Sequence, residues 1–84
     1  MKFQEVDSGD YRIYAGAIER GVGSLFQAAV VLTKQQSSGK RVEVFRDDQV
    51  GGGYLWSCPK EALRFAIQRG HDVVMCRTGL SQRV

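Results

Sequence analysis

The sequence has few of the residues that build metal centres and disulfide scaffolds. Two cysteines and one histidine occur among its 84 residues, whereas a structural zinc site takes four such ligands. No apolar run approaches the ~20 residues that a membrane-spanning helix requires. These shortages predict a domain without metal or cofactor, and one that does not act at a membrane.

The first residues do not have the form of a secretory signal. Glu5 and Asp7 lie within the first seven residues, and no apolar segment follows the initial Met1-Lys2, whereas a signal peptide has a basic start and an apolar stretch. We therefore expect a cytoplasmic protein with both thiols reduced.

Charge is scattered along the chain rather than concentrated. The 12 basic and 9 acidic residues give a net charge of +3, with no block of like charges that would mark a nucleic-acid-binding tail. The 43% hydrophobic content is typical of a folded globular protein. The length predicts a single domain over 1–84, with an ordered core over about 10–76 and mobile ends at 1–9 and 78–84.

Four segments have the alternation of apolar and polar residues that is typical of strands: 11–18, 25–33, 40–46 and 54–57. Because short turns separate them, successive strands are expected to pair antiparallel. Alternation places these side chains of the first three strands on one face: Tyr11, Ile13, Ala15, Ala17, Phe26, Ala28, Val30, Leu32, Val42 and Val44.

The last element is predicted to be a helix from Pro59 to about Met75. Proline suits the first helical position, and Glu61 suits the first turn, where the helix dipole favours negative charge. The apolar face consists of Ala62, Leu63, Ala66, Ile67, Gly70, Val73 and Val74. In an alternative, Gly70 ends the helix and residues 72–77 form a fifth strand. The continuing periodicity favours one helix.

The sequence thus predicts an α+β fold: an antiparallel three- to four-stranded β-meander with one C-terminal helix packed on one face. The segments Tyr11-x-Ile13, Phe26-x-Ala28-x-Val30 and Trp56, with Pro59-x-Glu61-Ala62, resemble a group of small bacterial proteins that have this architecture and no agreed activity. Cys58 departs from the group, which has Thr or Ser before the proline. The resemblance implies a fold and no function.

Cys58 is the candidate for a reactive thiol. It precedes a predicted helix N-terminus, where unpaired N–H groups favour the thiolate. The ordinary interpretation is that it replaces a Ser or Thr cap. Cys76 is 18 residues further on, ~27 Å along one helix, so no disulfide is expected between the two. The glycine-rich 51–53 segment precedes a strand rather than a helix, so it is not a phosphate-binding loop. We expect no catalytic residues.

The sheet face away from the predicted helix is the candidate binding surface. Besides Ala29, Thr33 and Glu43, alternation places there the residues that we take as binding candidates: Arg12, Tyr14, Gln27, Val31, Arg41 and Phe45. Apolar residues on such a face are typical of a protein interface, and arginine beside aromatics is typical of RNA-binding sheets. We expect a non-enzymatic protein-interaction module, either a homodimer or bound to another protein. The alternatives are a nucleic-acid-binding module and, third, a thiol enzyme or redox sensor at Cys58.

Overall fold

The computed structural model describes residues 2–21 and 25–78 and consists of one sheet and one helix. The order along the chain is β1 (Lys2–Ser8), β2 (Tyr11–Arg20), β3 (Leu25–Gln35), β4 (Arg41–Asp47), β5 (Leu55–Trp56) and α1 (Pro59–Thr78). The prediction of an antiparallel α+β meander with a C-terminal helix on one face is confirmed.

The N-terminal segment differs from the mobile end predicted for 1–9. Lys2–Ser8 pairs with β2 along its whole length, from Lys2 opposite Ala17 to Ser8 opposite Tyr11. A two-residue turn that begins at Gly9, with φ of 62°, connects the two strands. Most of β1 is exposed, so its sequence lacks the apolar alternation that identifies the other strands. Of the predicted mobile C-terminal end, residues 79–84 lie outside the described residues.

The last strand also pairs differently from the prediction. The sheet order is β1-β2-β3-β4, and β5 returns to β3 instead of pairing with β4. Because β4 pairs only with the Val30–Gln35 part of β3, the backbone of Phe26 and Gln27 is left to pair with β5. The 51–53 loop makes this return with three glycines at positive φ.

The helix is continuous from Pro59 to Thr78, which excludes the alternative fifth strand at 72–77. Its predicted apolar face packs on β2 and β3, and Gly70 is buried against Ile13. Within residues 2–21 and 25–78, no helix combines the length and apolar character needed to cross a membrane.

The core between sheet and helix is thin. Five of its buried side chains are alanines: Ala15, Ala17, Ala28, Ala62 and Ala66. Small side chains let the helix axis approach the sheet closely, so the molecule is a slab of 44 × 33 × 16 Å. The helix covers one face of this slab and no described element covers the other.

A change of register in β4 reverses one predicted orientation. The pairing shifts between Leu32 and Thr33, so that Phe45 lies opposite Leu32 and Glu43 lies opposite Thr33. Phe45 therefore packs beside the core on the helix side, and the guanidinium of Arg69 lies 5.3 Å from its ring centroid. The placement of Phe45 on the uncovered face was a wrong prediction, because alternation alone does not anticipate a bulge.

Candidate functional site

The face of the sheet opposite α1, here called the open face, is not covered by any other described element of the fold. Residues that pair directly across antiparallel strands share a face, so the register assigns its members. They are Phe3, Glu5 and Asp7 of β1, Arg12, Tyr14, Gly16, Ile18 and Arg20 of β2, Leu25, Gln27, Ala29, Val31, Thr33 and Gln35 of β3, and Arg41, Glu43 and Arg46 of β4. Asp48, just after β4, lines the same face.

The middle of the open face is apolar and contains a shallow hollow. Gly16 lies directly opposite Ala29, and the adjacent pair is Tyr14 opposite Val31. Because two small residues sit between rows of larger ones, they form the floor of a hollow of about 190 Å³ that Ile18 also lines.

Phe3 projects above one half of this hollow. Its ring packs on Gly16, where an added Cβ would lie 3.4 Å from the ring, yet the residue is 72% exposed. A phenyl ring that is fixed on one side and open to water on the other is an apolar surface without a partner in the described part of the chain.

The charged residues around this centre are paired. The Nε of Arg12 donates to Asp7 Oδ1 at 2.8 Å, and its Nη1 lies 3.9 Å from Glu5 Oε1. The hydrogen bond from Arg12 lowers the pKa of Asp7 below its ordinary value. The same bond raises the pKa of Arg12, so its charge is permanent and already engaged.

The other edge of the face has a similar arrangement. Arg46 donates to Glu43 through Nη2 at 2.9 Å and Nε at 3.2 Å, and its Nη1 lies 3.6 Å from Asp48. This hydrogen bonding lowers the pKa of Glu43. Arg41 donates to the Thr33 hydroxyl at 3.3 Å. The guanidinium groups of Arg41 and Arg46 are therefore fixed by hydrogen bonds to neighbouring side chains of the sheet.

Gln27 has a role within the chain. Its side-chain oxygen accepts a 2.9 Å hydrogen bond from Arg20 Nε, and its Nε2 donates to the backbone carbonyl of Asp48. It therefore fastens the segment after β4 to β3, and both ends of its amide are already used.

The structure brings five of the six binding candidates to the open face: Arg12, Tyr14, Gln27, Val31 and Arg41. Phe45 lies on the other side. The sequence analysis did not place Phe3, Glu5 and Asp7 on this face, because β1 was predicted to be mobile. It also missed Ile18, and Arg46, which the register shift in β4 turns to the open face.

Cys58 is exposed just before α1, and its carbonyl accepts the N–H of Ala62 at 3.2 Å. His71 lies 13 residues further along, about 20 Å away along a helix, so it is not a base for this thiol. Among residues 2–21 and 25–78, no cluster of three or more His, Cys, Asp or Glu is arranged to hold a metal ion.

A second exposed feature is an aromatic cluster at the N-terminal half of α1. The ring centroids of Trp56 and Phe65 are 5.2 Å apart in a stacked arrangement, and Tyr54 meets Trp56 edge-on at 4.8 Å. The available sequence signal was that Phe65 is apolar but lies outside the apolar face of the helix. Its neighbours come from β5, whose position only the folded chain reveals.

Comparisons with known proteins give no relative for this chain. No protein-family model matches it, and neither a curated protein nor a solved structure is significantly similar.

Proposed function

We propose that this chain is a non-catalytic module that binds another protein through the open face of its sheet. The observation that carries the proposal is the apolar centre formed by Phe3, Tyr14, Ile18 and Val31, surrounded by paired charges and left uncovered by the helix. An apolar centre inside a polar rim is the usual anatomy of a protein–protein interface.

The charge balance of the open face favours a protein over a nucleic acid. Four arginines (Arg12, Arg20, Arg41, Arg46) are matched by four carboxylates (Glu5, Asp7, Glu43, Asp48). Affinity for nucleic acid depends on cations that neutralise phosphates, and Arg12 and Arg46 already bind carboxylates. The nucleic-acid alternative also loses its predicted aromatic contribution from Phe45, which lies on the helix side.

The thin core is a further reason to expect a partner. At 84 residues the chain is just above the limit of roughly 70–80 residues below which a single core rarely stabilises a fold, and this core is rich in alanine. Burying the apolar centre of the open face against a partner would remove more apolar surface from water, and this would add to the hydrophobic stabilisation that the thin core provides.

Site-specific photo-cross-linking in the source cells tests the proposal. A benzophenone side chain replaces Val31 at the centre of the open face, and a matched variant carries it at Gln68 on the exposed side of α1. We expect position 31, and not position 68, to give a recurrent protein adduct, which mass spectrometry identifies. We expect the adduct to be lost when Ile18 is changed to Lys.

Three results would contradict the proposal. They are equal labelling at positions 31 and 68, no protein adduct at position 31, or adducts at position 31 that consist of nucleic acid. Circular dichroism of each variant establishes that it is folded before its labelling is compared.

A further inference from the structure

The chain's own Phe3 covers one side of the hollow on the open face. The ring lies on Gly16 of β2, while the equivalent place on β3, above Ala29, is open. Gly16 and Ala29 are direct partners, so the covered and uncovered halves lie side by side at the same level of the sheet.

A twofold axis parallel to the strands, midway between β2 and β3, exchanges these two halves when one sheet is stacked on another. The operation moves the ring above Gly16 to a position above Ala29 of a second molecule. We infer that the protein bound by the open face is a second copy of this chain, with each Phe3 ring seated above Ala29 of the other copy. This inference rests on the proposed function.

The dimensions suit this arrangement. Stacked sheets pack about 10 Å apart, which leaves room for one layer of rings between the Gly16 floor of one copy and the Ala29 floor of the other. Adjacent strands are about 4.8 Å apart, so the two Phe3 rings would lie side by side at the spacing preferred by aromatic pairs.

Charge complementarity supports the same axis. Glu5, Tyr14, Val31 and Arg46 form one row across the four strands, acidic at one edge and basic at the other. The twofold axis reverses this row, so Glu5 of each copy faces Arg46 of the other, and the two charges attract in addition to the ion pair that each has within its own chain. One row further along, Asp7 faces Glu43, but each already binds an arginine of its own chain, and the charges of the face sum to zero.

The area predicts a weak dimer. Four strands of about seven paired residues make a face of about 19 × 23 Å. Its flat area is roughly 450 Å², and the side chains that project from it add to the accessible surface. A standard interface buries about 800 Å² on each partner. We therefore expect association in the range of roughly 10 µM to 1 mM, and not in the nanomolar range.

Sedimentation equilibrium of the purified chain over this concentration range tests whether a second copy binds. We expect the mass to rise from 9.4 kDa towards twice that value. A mass that stays monomeric at about 1 mM would overturn the inference. It would leave the proposed function intact if position 31 still cross-links to a different protein.

Isotope-filtered NMR of a mixed labelled and unlabelled sample tests the geometry without any substitution. We expect intermolecular contacts between the Phe3 ring protons and the Ala29 methyl group. A dimer whose intermolecular contacts lie elsewhere would overturn the arrangement.

Two variants complete the test. Phe3→Ser should weaken association at least tenfold, whereas Phe65→Ser, the matched loss of an exposed ring on the helix side, should leave it unchanged. Glu5→Arg should also weaken it, and Glu5→Arg combined with Arg46→Glu should recover part of the loss. Equal effects of the two serine variants would contradict the seated ring.

Discussion

Gly70 of the helix lies directly against Ile13 of the second strand, and no side chain fits between them. A Cβ at Gly70 would come within 2.6 Å of Ile13 Cγ2 and 3.1 Å of Cγ1, and Ile13 is completely buried. This contact sets how closely α1 approaches the sheet.

Gly70→Ala should therefore destabilise the fold, although alanine is the better helix former. The gain in helix propensity is about 1 kcal/mol, while forcing a methyl group into a filled core costs about 1–3 kcal/mol. We expect a net loss of up to about 2 kcal/mol in the free energy of unfolding, measured by urea denaturation. Gln68→Ala, an exposed change on the same helix, should have little effect. A Gly70→Ala variant as stable as the wild type would show that the helix moves away at low cost.

The ion pair between Asp7 and Arg12 should make stability depend on pH in the acidic range. Because the native pKa of Asp7 is lowered, the ionised carboxylate stabilises the fold above its ordinary pKa of about 4. This contribution disappears as the pH falls through the lowered native value. The difference in urea midpoint between wild type and Asp7→Asn should therefore be largest near neutral pH and vanish in strong acid. In an Arg12→Gln background the Asp7→Asn difference should lose most of its pH dependence; an unchanged dependence there would contradict the assignment.

The stacked pair of Trp56 and Phe65 should contribute measurably although both rings are partly exposed. Phe65→Ala removes the ring at 5.2 Å from Trp56, and we expect a loss of about 1 kcal/mol. Trp56 is the single tryptophan, so its fluorescence should shift to longer wavelength in the variant. An unchanged emission spectrum would mean that the two rings do not stack in solution.

The two adjacent loop glycines Gly51 and Gly52 should respond differently to alanine. Both have positive φ, 75° and 74°, so either substitution costs about 1–2 kcal/mol of backbone strain. At Gly51 the new Cβ would also lie 3.1 Å from Trp56 Cη2, whereas at Gly52 it would meet open space. Gly51→Ala should thus be the less stable variant in thermal unfolding, and only this variant should change the tryptophan emission. Equal melting temperatures would contradict the contact.

The sequence was sufficient for the elements whose burial is periodic. Ile13 and Ala15 with their neighbours alternate cleanly because one side of β2 is buried, and the helix shows its period because one side of it faces the sheet. These two patterns predicted the fold class and the face that packs.

The remaining features depend on contacts between distant parts of the chain. The bulge opposite Leu32 and Thr33 turned Phe45 to the helix side, and no local residue marks it. Exposed β1 carries no strong pattern, so Phe3 and its place on Gly16 were not foreseen. The Trp56–Phe65 stack depends on where β5 rejoins the sheet. That position is set by the part of the β3 backbone that β4 leaves unpaired.

The alanine-rich core between α1 and the sheet affects how the stability of the protein depends on temperature and denaturant. Unfolding this chain exposes little apolar surface, and both the denaturant sensitivity and the heat-capacity increment scale with that exposure. The melting curve should be broad and the stability nearly flat across ordinary temperatures, with gradual rather than abrupt loss of structure on warming.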